Sequence, residues 1–330
     1  MNATMKAIIY TRYGGPEVLS ATEIQRPEPK PDEVLVKVHA TSVTSGDYRA
    51  RSLDMPPGFG LIGRLVFGLF SPRRTVLGAE FAGTVEAIGA NVTRFNRGDR
   101  VVAYPGANFG GYAEYAVIRE DAAVALAPSD MELDQAVALS FGGATALNFL
   151  RDKAGIKSGD KVLVIGGAGS VGSAAVQLAK AFGAHVTATA STAKLDMVRG
   201  LGADAVIDHG TEDPSSSRDA YDIILDTSGT ATYAKYGAAL KPGGRLMLVS
   251  ANLWQMLGSL IARKSGGRKA SGGYAPERAE DLRVLADLAK KGELRPFIDK
   301  RFPLDKTADA HRYFEAPGRK GNVVIMVPQT

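Results

Sequence analysis

The chain contains no cysteine among its 330 residues. This absence excludes disulfides, thiolate nucleophiles, iron–sulfur clusters and any cysteine-ligated zinc. It agrees with a reducing compartment, and we therefore expect a cytoplasmic location. Histidine is scarce as well, with His39, His185, His209 and His311 scattered so that no two lie four residues apart. The sequence therefore offers no helical pair of imidazoles for a metal ion.

A long hydrophobic run is also missing. The N-terminus lacks the charged segment and apolar stretch of a signal peptide. The longest apolar candidate, residues 59–70, is interrupted by Arg64 and is much shorter than the roughly 20 residues that cross a bilayer. We expect no membrane span.

The net charge of +5 raises the question of a nucleic-acid partner. The basic clusters lie at residues 73–74, 263–264 and 268–269, and aromatic residues do not alternate with them at a nucleic-acid-binding spacing. A solvated surface that also attracts an anionic cofactor is the simpler interpretation. We do not expect nucleic acid as a partner.

A glycine-rich turn between a strand and a helix is the most informative feature that is present. The apolar run Val162–Ile165 predicts a buried strand, and an amphipathic pattern over Val171–Phe182 predicts a helix. Between them, Gly167, Gly169 and Gly172 complete a G-x-G-x-x-G pattern. In this setting the pattern predicts a dinucleotide site, with the pyrophosphate at the helix N-terminus.

The residues after the next strand indicate which dinucleotide is bound. NAD would require an acidic residue about 20 positions beyond the motif, to accept from the ribose 2′-hydroxyl. The sequence has Ser191, Thr192, Ala193 and Lys194 at that place. Two hydroxyls and a cation suit a 2′-phosphate, so we expect NADPH, with Lys194 on the phosphate. The alternative is that Lys194 is an ordinary solvated lysine that opens the next helix.

The chain divides into a β-rich part and an α/β part. Residues 1–127 carry short β-branched segments between Gly, Pro and Asp, without a sustained helical period, and predict an antiparallel barrel-like domain. Residues 128–275 alternate strands with helices and predict a Rossmann domain with a doubly wound parallel sheet. Residues 276–330, a helix and a terminal strand, are expected to return to the first domain.

Several ordered motifs give the chain a family resemblance. They are Gly78–Gly89, Gly98–Val101, Gly110–Tyr115, Gly142–Thr145 and the loop Gly166–Gly172. With them the chain resembles the medium-chain dehydrogenase/reductase superfamily, in its zinc-independent quinone oxidoreductase branch. The resemblance implies an α/β fold in which a GroES-like barrel packs on the Rossmann domain, a substrate cleft between them, and a homodimer.

The same resemblance bears on metal. The positions that match the catalytic zinc ligands of related alcohol dehydrogenases hold Thr44, Ala79 and Phe141. Zinc takes cysteine sulfur, histidine nitrogen or carboxylate oxygen, and none of these three residues offers one. We expect no metal site.

Without a Lewis acid, reduction of a simple carbonyl is hard to support. Quinones and α,β-unsaturated carbonyl compounds (enones) disperse the arriving negative charge themselves, so we expect an NADPH-dependent oxidoreductase that reduces one of these classes. Two alternatives stay open: an enoyl-thioester reductase of the same fold, and a non-catalytic protein that binds NADPH or RNA.

The resemblance also implies the site residues. Thr44, Asp47 and Tyr48 occupy the loop that faces the nicotinamide; Asp47 is expected to order the loop, and Tyr48 is either a hydrogen-bond donor and proton source or a packing residue. A water molecule is the other candidate for the proton source. The implied cofactor contacts are Thr145, Gly167, Ala168, Gly169, Ser170, Val171, Gly172, Ser191, Lys194, His209, Ser250, Asn252 and Asn322.

Two segments have several interpretations. Residues 52–77, rich in Met, Pro, Gly and Phe, are a hydrophobic wall or flap of the pocket, or they serve packing or a dimer contact. Residues 251–274 are an apolar helix followed by Gly-, Ser-, Lys- and Arg-rich sequence, which forms a lid, a hinge or a surface loop.

Overall fold

The computed structural model describes residues 3–256 and 267–329. Its strands are β1 (Thr4–Ile9), β2 (Ser20–Gln25), β3 (Glu33–Val43), β4 (Phe81–Ile88), β5 (Arg100–Ala103), β6 (Tyr115–Arg119), β7 (Val124–Leu126), β8 (Lys161–Ile165), β9 (His185–Ala190), β10 (Ala205–Asp208), β11 (Tyr221–Asp226), β12 (Leu240–Leu248), β13 (Lys269–Gly272), β14 (Ile298–Pro303) and β15 (Asn322–Met326). Its helices are α1 (Ser45–Ser52), α2 (Gly60–Phe67), α3 (Leu133–Leu147), α4 (Ser170–Ala181), α5 (Leu195–Gly200), α6 (Tyr233–Tyr236), α7 (Ala279–Lys290) and α8 (Thr307–Glu315).

One sheet is parallel and has the strand order β10-β9-β8-β11-β12-β13. This is the order of a doubly wound dinucleotide-binding sheet, and it reverses between β8 and β11. The central strands carry continuous apolar runs, and Val162, Leu163 and Val164 are fully buried because helices cover both faces. The predicted α/β fold with a Rossmann sheet is confirmed.

The second large sheet has the order β14-β15-β3-β4-β5-β7, and β6 also pairs with β3. The C-terminal strand β15 runs antiparallel to β3, with Val323 opposite Val43. The chain thus closes a sheet that it began near its N-terminus. The exact domain boundaries, after residues 127 and 275, stay predictions.

The two halves share a hydrophobic core. One buried cluster runs from Ala82 and Val102 of the barrel through Val137 of α3 to Val164 of the Rossmann sheet. This shared packing fixes the carboxyl ends of the parallel strands against the barrel and so shapes the space between them.

The structure corrects several element predictions. Residues 251–274, interpreted from the sequence as a lid, a hinge or a surface loop, contain the strand β13 at Lys269–Gly272; this short polar strand gives little sequence signal. Residues 257–266, with the basic pair 263–264, lie outside the described part of the chain. Helix α3 begins at Leu133 and continues beyond Leu147 as a π-helical turn, Asn148–Lys153. The β-rich part also contains two helices, α1 and α2.

Within residues 3–256 and 267–329, no helix has both the length and the apolar character needed to cross a membrane.

Candidate active site

A cavity of about 830 Å³ lies between the barrel and the Rossmann sheet. Its wall combines β3 and the loop after it with the turns that follow β8, β9, β11 and β12. Ligands of open α/β sheets bind at the carboxyl ends of the strands, where the strand order reverses. The cavity has this position and a volume typical of small-molecule sites.

The turn after β8 depends on Gly166, which precedes the predicted glycine motif. Gly166 adopts φ +82°, a left-handed conformation that favours glycine. A Cβ on Gly172 would lie 2.1 Å from the Gly166 carbonyl oxygen, so this glycine permits the close approach of α4 to the turn. Sequence reasoning did not assign Gly166 a role, although the Gly166–Gly167 pair directly after a strand was an available signal.

The N-terminus of α4 opens onto the cavity. Gly169 forms a parallel backbone bridge with Gly321, and among the described residues no acceptor pairs with the backbone N–H groups of Val171 and Gly172. A Cβ built on Gly169 meets no atom nearer than 3.9 Å, so the backbone is accessible here. Free N–H groups at the positive end of a helix dipole fit an anionic pyrophosphate.

Lys194 lies on the cavity wall beside Ser191, and Arg319 joins them from the C-terminal segment. The Lys194 ammonium donates to the Arg319 carbonyl at 2.7 Å. Burial and the neighbouring charge of Arg319 lower the pKa of Lys194. The Arg319 guanidinium stacks over the Phe314 ring, 4.0 Å from its centroid. Two cations on one wall form an environment suited to a phosphate. Sequence reasoning missed Arg319, because it lies far from the motif along the chain.

The C-terminal segment also contacts the glycine loop. Gly321 N–H donates to the Ala168 carbonyl at 2.7 Å, and the Ser170 hydroxyl donates to Asn322 Oδ1 at 2.6 Å. Most of the predicted cofactor residues lie on the cavity wall: Thr145, Ala168, Gly169, Ser170, Val171, Gly172, Ser191, Lys194, His209, Ser250 and Asn322.

Two predicted cofactor residues are absent from the described cavity wall. Gly167 packs beneath the loop, where a Cβ would lie 3.0 Å from Ala188 Cβ. Asn252 caps the helical turn that follows it, because its Oδ1 accepts from Gln255 N–H at 2.8 Å. Both therefore support the backbone around the site.

Asp47 lies beneath the wall, fully buried. Its carboxylate accepts hydrogen bonds from the Thr44 N–H (2.9 Å), the Thr44 hydroxyl (2.6 Å), the Gly78 N–H (2.8 Å) and the Ala79 N–H (3.1 Å). Burial raises the pKa of Asp47 to about 6, although these hydrogen bonds oppose the shift. Thr44 is on the wall, but its hydroxyl proton is directed to Asp47.

Tyr48 is likewise absent from the described wall. Its hydroxyl donates to the Asp54 carboxylate, and this hydrogen bond is the main cause of a raised Tyr48 pKa. Tyr104, which the sequence analysis did not name, lies on the wall instead, with its ring edge-on to Phe141. Burial raises the pKa of Tyr104, and its hydroxyl has no hydrogen-bond partner among the described residues.

Glu80 is a second buried carboxyl behind the wall. A hydrogen bond joins it to the Ser42 hydroxyl, and its Oε2 accepts from Phe141 N–H at 2.5 Å. Burial raises the pKa of Glu80 to about 8, which favours the protonated form at neutral pH. Because Ser42 is in β3 and Phe141 is in α3, Glu80 links the barrel to the Rossmann half across two wall residues.

The three positions matched to zinc ligands meet on the cavity wall. Thr44, Ala79 and Phe141 present a hydroxyl, a methyl and a phenyl group there. In the part of the chain that the structure describes, no group of three or more His, Cys, Asp or Glu residues is placed to hold a metal ion.

Comparison with known proteins agrees with this architecture. Residues 30–129 match the family described as alcohol dehydrogenase GroES-like domain, and residues 201–325 match the family described as zinc-binding dehydrogenase. A 2-methylene-furan-3-one reductase from Solanum lycopersicum is 34% identical over 97% of this chain and 79% of that protein. A chloroplastic NADPH-dependent alkenal/one oxidoreductase from Arabidopsis thaliana is 32% identical over the same shares, 97% and 79%.

A solved structure supports the same assignment. The quinone oxidoreductase from Coxiella burnetii superposes with a TM-score of 0.84 at 31% identity, covering 99% of this chain and 100% of that chain. The predicted resemblance is confirmed. The chain belongs to the quinone oxidoreductase-like branch of the medium-chain dehydrogenase/reductase superfamily.

Proposed function

We propose that this chain is an NADPH-dependent oxidoreductase that reduces quinones or enones without a metal ion. The observation that carries the proposal is the composition of one wall: the glycine loop opens onto the same cavity as Thr44, Ala79 and Phe141. A cofactor site thus adjoins an acceptor site whose side chains cannot act as zinc ligands. The names of the alkenal/one reductase and quinone oxidoreductase relatives support this reaction class.

We propose NADPH as the preferred cofactor because of the charges near Ser191. Lys194 and Arg319 would hold the 2′-phosphate, and the N–H groups of Val171 and Gly172 would hold the pyrophosphate. The segment Ser191–Lys194 contains no acidic residue, which would be needed to accept a hydrogen bond from the free ribose 2′-hydroxyl of NADH.

When bound, NADPH would supply the hydride. The chain must then bind an acceptor that spreads negative charge onto an oxygen, and must stabilise that oxygen. We assign this task to Tyr104, a wall residue whose hydroxyl has no hydrogen-bond partner among the described residues. One such donor is typically worth about 2.7–4 kcal/mol of barrier.

We assign Thr44, Asp47 and Tyr48 to positioning. The Asp47 carboxylate fixes Thr44 and the Gly78–Ala79 backbone, and it thereby holds two residues of the cavity wall, Thr44 and Ala79. Tyr48 is held by Asp54, away from the described wall. The apolar surfaces of Phe109, Phe141 and Phe149 would exclude water around the acceptor.

A homodimer and a cytoplasmic location are further predictions. The outer edge of β13 ends the six described strands of the parallel sheet, which leaves backbone groups for a second copy. Sedimentation equilibrium of the purified chain tests the dimer.

The enzymatic proposal is tested by following the absorbance of the reduced nicotinamide with quinones, enones, enals and simple alcohols, each with NADP(H) and NAD(H). We expect turnover of quinones or enones with NADPH and little with alcohols. Absence of turnover with every activated acceptor, despite measured NADPH binding, would contradict the proposal.

A further inference from the structure

An exposed apolar surface adjoins the cavity wall. We call it the apolar rim, and its residues are Leu61, Ile62, Leu65, Val66, Leu69 and Phe70. Leu61 is 69% exposed and Phe70 is 89% exposed. Isolated apolar residues are common on surfaces, but a contiguous group of this kind indicates a binding face.

The rim follows from the geometry of α2. At about 100° per residue, Leu61, Ile62, Leu65 and Val66 share an arc of roughly 140° on the helix. The other side faces inward: Gly63 packs on Met55, and Phe67 lies on the cavity wall with its ring 6.2 Å from that of Phe109. One helix therefore has a cavity face and an exposed apolar face.

The charged residues in the segment that carries the rim have one sign. Residues 55–79 contain three arginines, Arg64, Arg73 and Arg74, and no acidic residue. All three arginines are exposed. Trp254, 70% exposed, extends the apolar surface from the neighbouring turn, where the Leu253 N–H donates to the Pro57 carbonyl at 3.1 Å.

We propose that the apolar rim docks on the surface of an anionic lipid bilayer. Apolar side chains that enter the acyl boundary, with arginines at the level of the headgroups, are the features of helices that bind membrane interfaces. A second copy of the chain is a poorer occupant. A symmetric contact through this face would place the arginines of both copies around one interface, where they repel.

This orientation has a consequence for the acceptor. Because α2 separates the rim from the cavity, a lipid-dissolved acceptor would meet the enzyme beside its active site. That consequence depends on the proposed function, whereas docking itself does not. Vesicle binding without cofactor or acceptor therefore tests the docking alone.

The test is flotation of the full chain with vesicles of phosphatidylcholine, alone or mixed with phosphatidylglycerol, at low and high salt. We expect binding to the mixed vesicles, weakened by salt, and little binding to phosphatidylcholine. In the double variant Leu61→Glu/Phe70→Glu, the partition coefficient between vesicles and solution should fall at least about tenfold. Leu126→Glu, which places one such charge on an exposed apolar residue outside the rim, should bind like the wild type.

A second pair of variants tests the charges. Arg73→Ser/Arg74→Ser should weaken partitioning by about fivefold per arginine. The matched pair Lys290→Ser/Lys291→Ser, at the exposed end of α7, should change it little. Absence of binding to mixed vesicles, or an equal loss in Leu126→Glu, would overturn the proposal. A third result would also overturn the proposal: the wild type forms a dimer and does not bind vesicles, and Leu61→Glu/Phe70→Glu makes it monomeric. A second copy of the chain would then cover the rim.

Discussion

The Lys194 ammonium donates to the backbone carbonyl of Arg319 at 2.7 Å. This contact joins the helical turn after β9 to the C-terminal segment and places both side chains on the wall beside Ser191. The proposed cofactor pocket is thus completed by the segment that leads into β15 of the barrel sheet. The charges of Lys194 and Arg319 should determine the choice between NADPH and NADH.

Lys194→Ala should therefore raise the Kd for NADPH by about 10- to 100-fold, since a charged hydrogen bond to phosphate is lost. The Kd for NADH should change little, because NADH has no 2′-phosphate. Fluorescence titration with both cofactors measures this, with Lys157→Ala as an exposed control. An equal loss for both cofactors would remove Lys194 from the phosphate site.

Two glycines of the loop should separate cofactor binding from folding. In Gly169→Ala the new Cβ meets no protein atom nearer than 3.9 Å, so the fold should persist while the methyl group occupies the cofactor's approach. In Gly172→Ala the Cβ would lie 2.1 Å from the Gly166 oxygen and should cost about 1–3 kcal/mol of stability.

Thermal unfolding and NADPH titration of both variants check this contrast. Gly169→Ala should keep the wild-type Tm and lose NADPH affinity. Retention of full affinity in Gly169→Ala would mean that the pyrophosphate does not approach this backbone.

Tyr104→Phe should lower kcat by about 100-fold with little change in KM, because the lost hydroxyl is expected to act on charge that develops during the reaction. Tyr48→Phe is the matched control, since the Tyr48 hydroxyl is bound to Asp54 and is absent from the described wall. Steady-state kinetics with one enone compares them. A larger kcat loss in Tyr48→Phe than in Tyr104→Phe would reverse the two assignments.

Glu80 should make the wild type less stable as the pH rises. Its pKa is about 8 in the folded chain against 4.5 as the ordinary value, so between these values the unfolded chain releases a proton that the folded chain keeps. The free energy of unfolding therefore falls with rising pH across this window and levels off above about pH 8.

Glu80→Gln retains an acceptor for Phe141 N–H and a donor for Ser42 but does not titrate. Relative to this variant, the free energy of unfolding of the wild type should fall by on the order of a few kcal/mol between pH 5 and pH 8. Urea unfolding at several pH values measures the difference, with Glu293→Gln as an exposed control. A pH-independent difference would show that Glu80 is ionised throughout.

Local patterns predicted the parts of the molecule that local forces determine. The apolar strand before the glycines and the helix after them were found because burial and backbone conformation leave a signal within a few residues. The left-handed turn at Gly166 was missed because this residue precedes the G-x-G-x-x-G pattern, which begins at Gly167. The strand β13 was missed because its residues, Lys269–Gly272, have little apolar character.

Contacts between distant segments were harder to predict. Arg319 reaches Lys194 only because β15 returns to the barrel, and Tyr104 borders the cavity in contact with Phe141 of the distant helix α3. The loop residues Thr44, Asp47 and Tyr48 were identified from the family resemblance. The sequence could not show which of their polar side chains already had hydrogen-bond partners. Those partners are set by the tertiary fold.

The central claim is that no metal ion takes part in the reaction. The acceptor itself must therefore disperse the negative charge that arrives with the hydride. The most direct measurement compares kcat/KM with NADPH for an enone and for the saturated ketone of the same carbon skeleton, before and after exhaustive treatment with a chelator. We predict turnover of the enone only, unchanged by the chelator. Comparable turnover of the saturated ketone, or loss of enone reduction that added zinc restores, would contradict the claim.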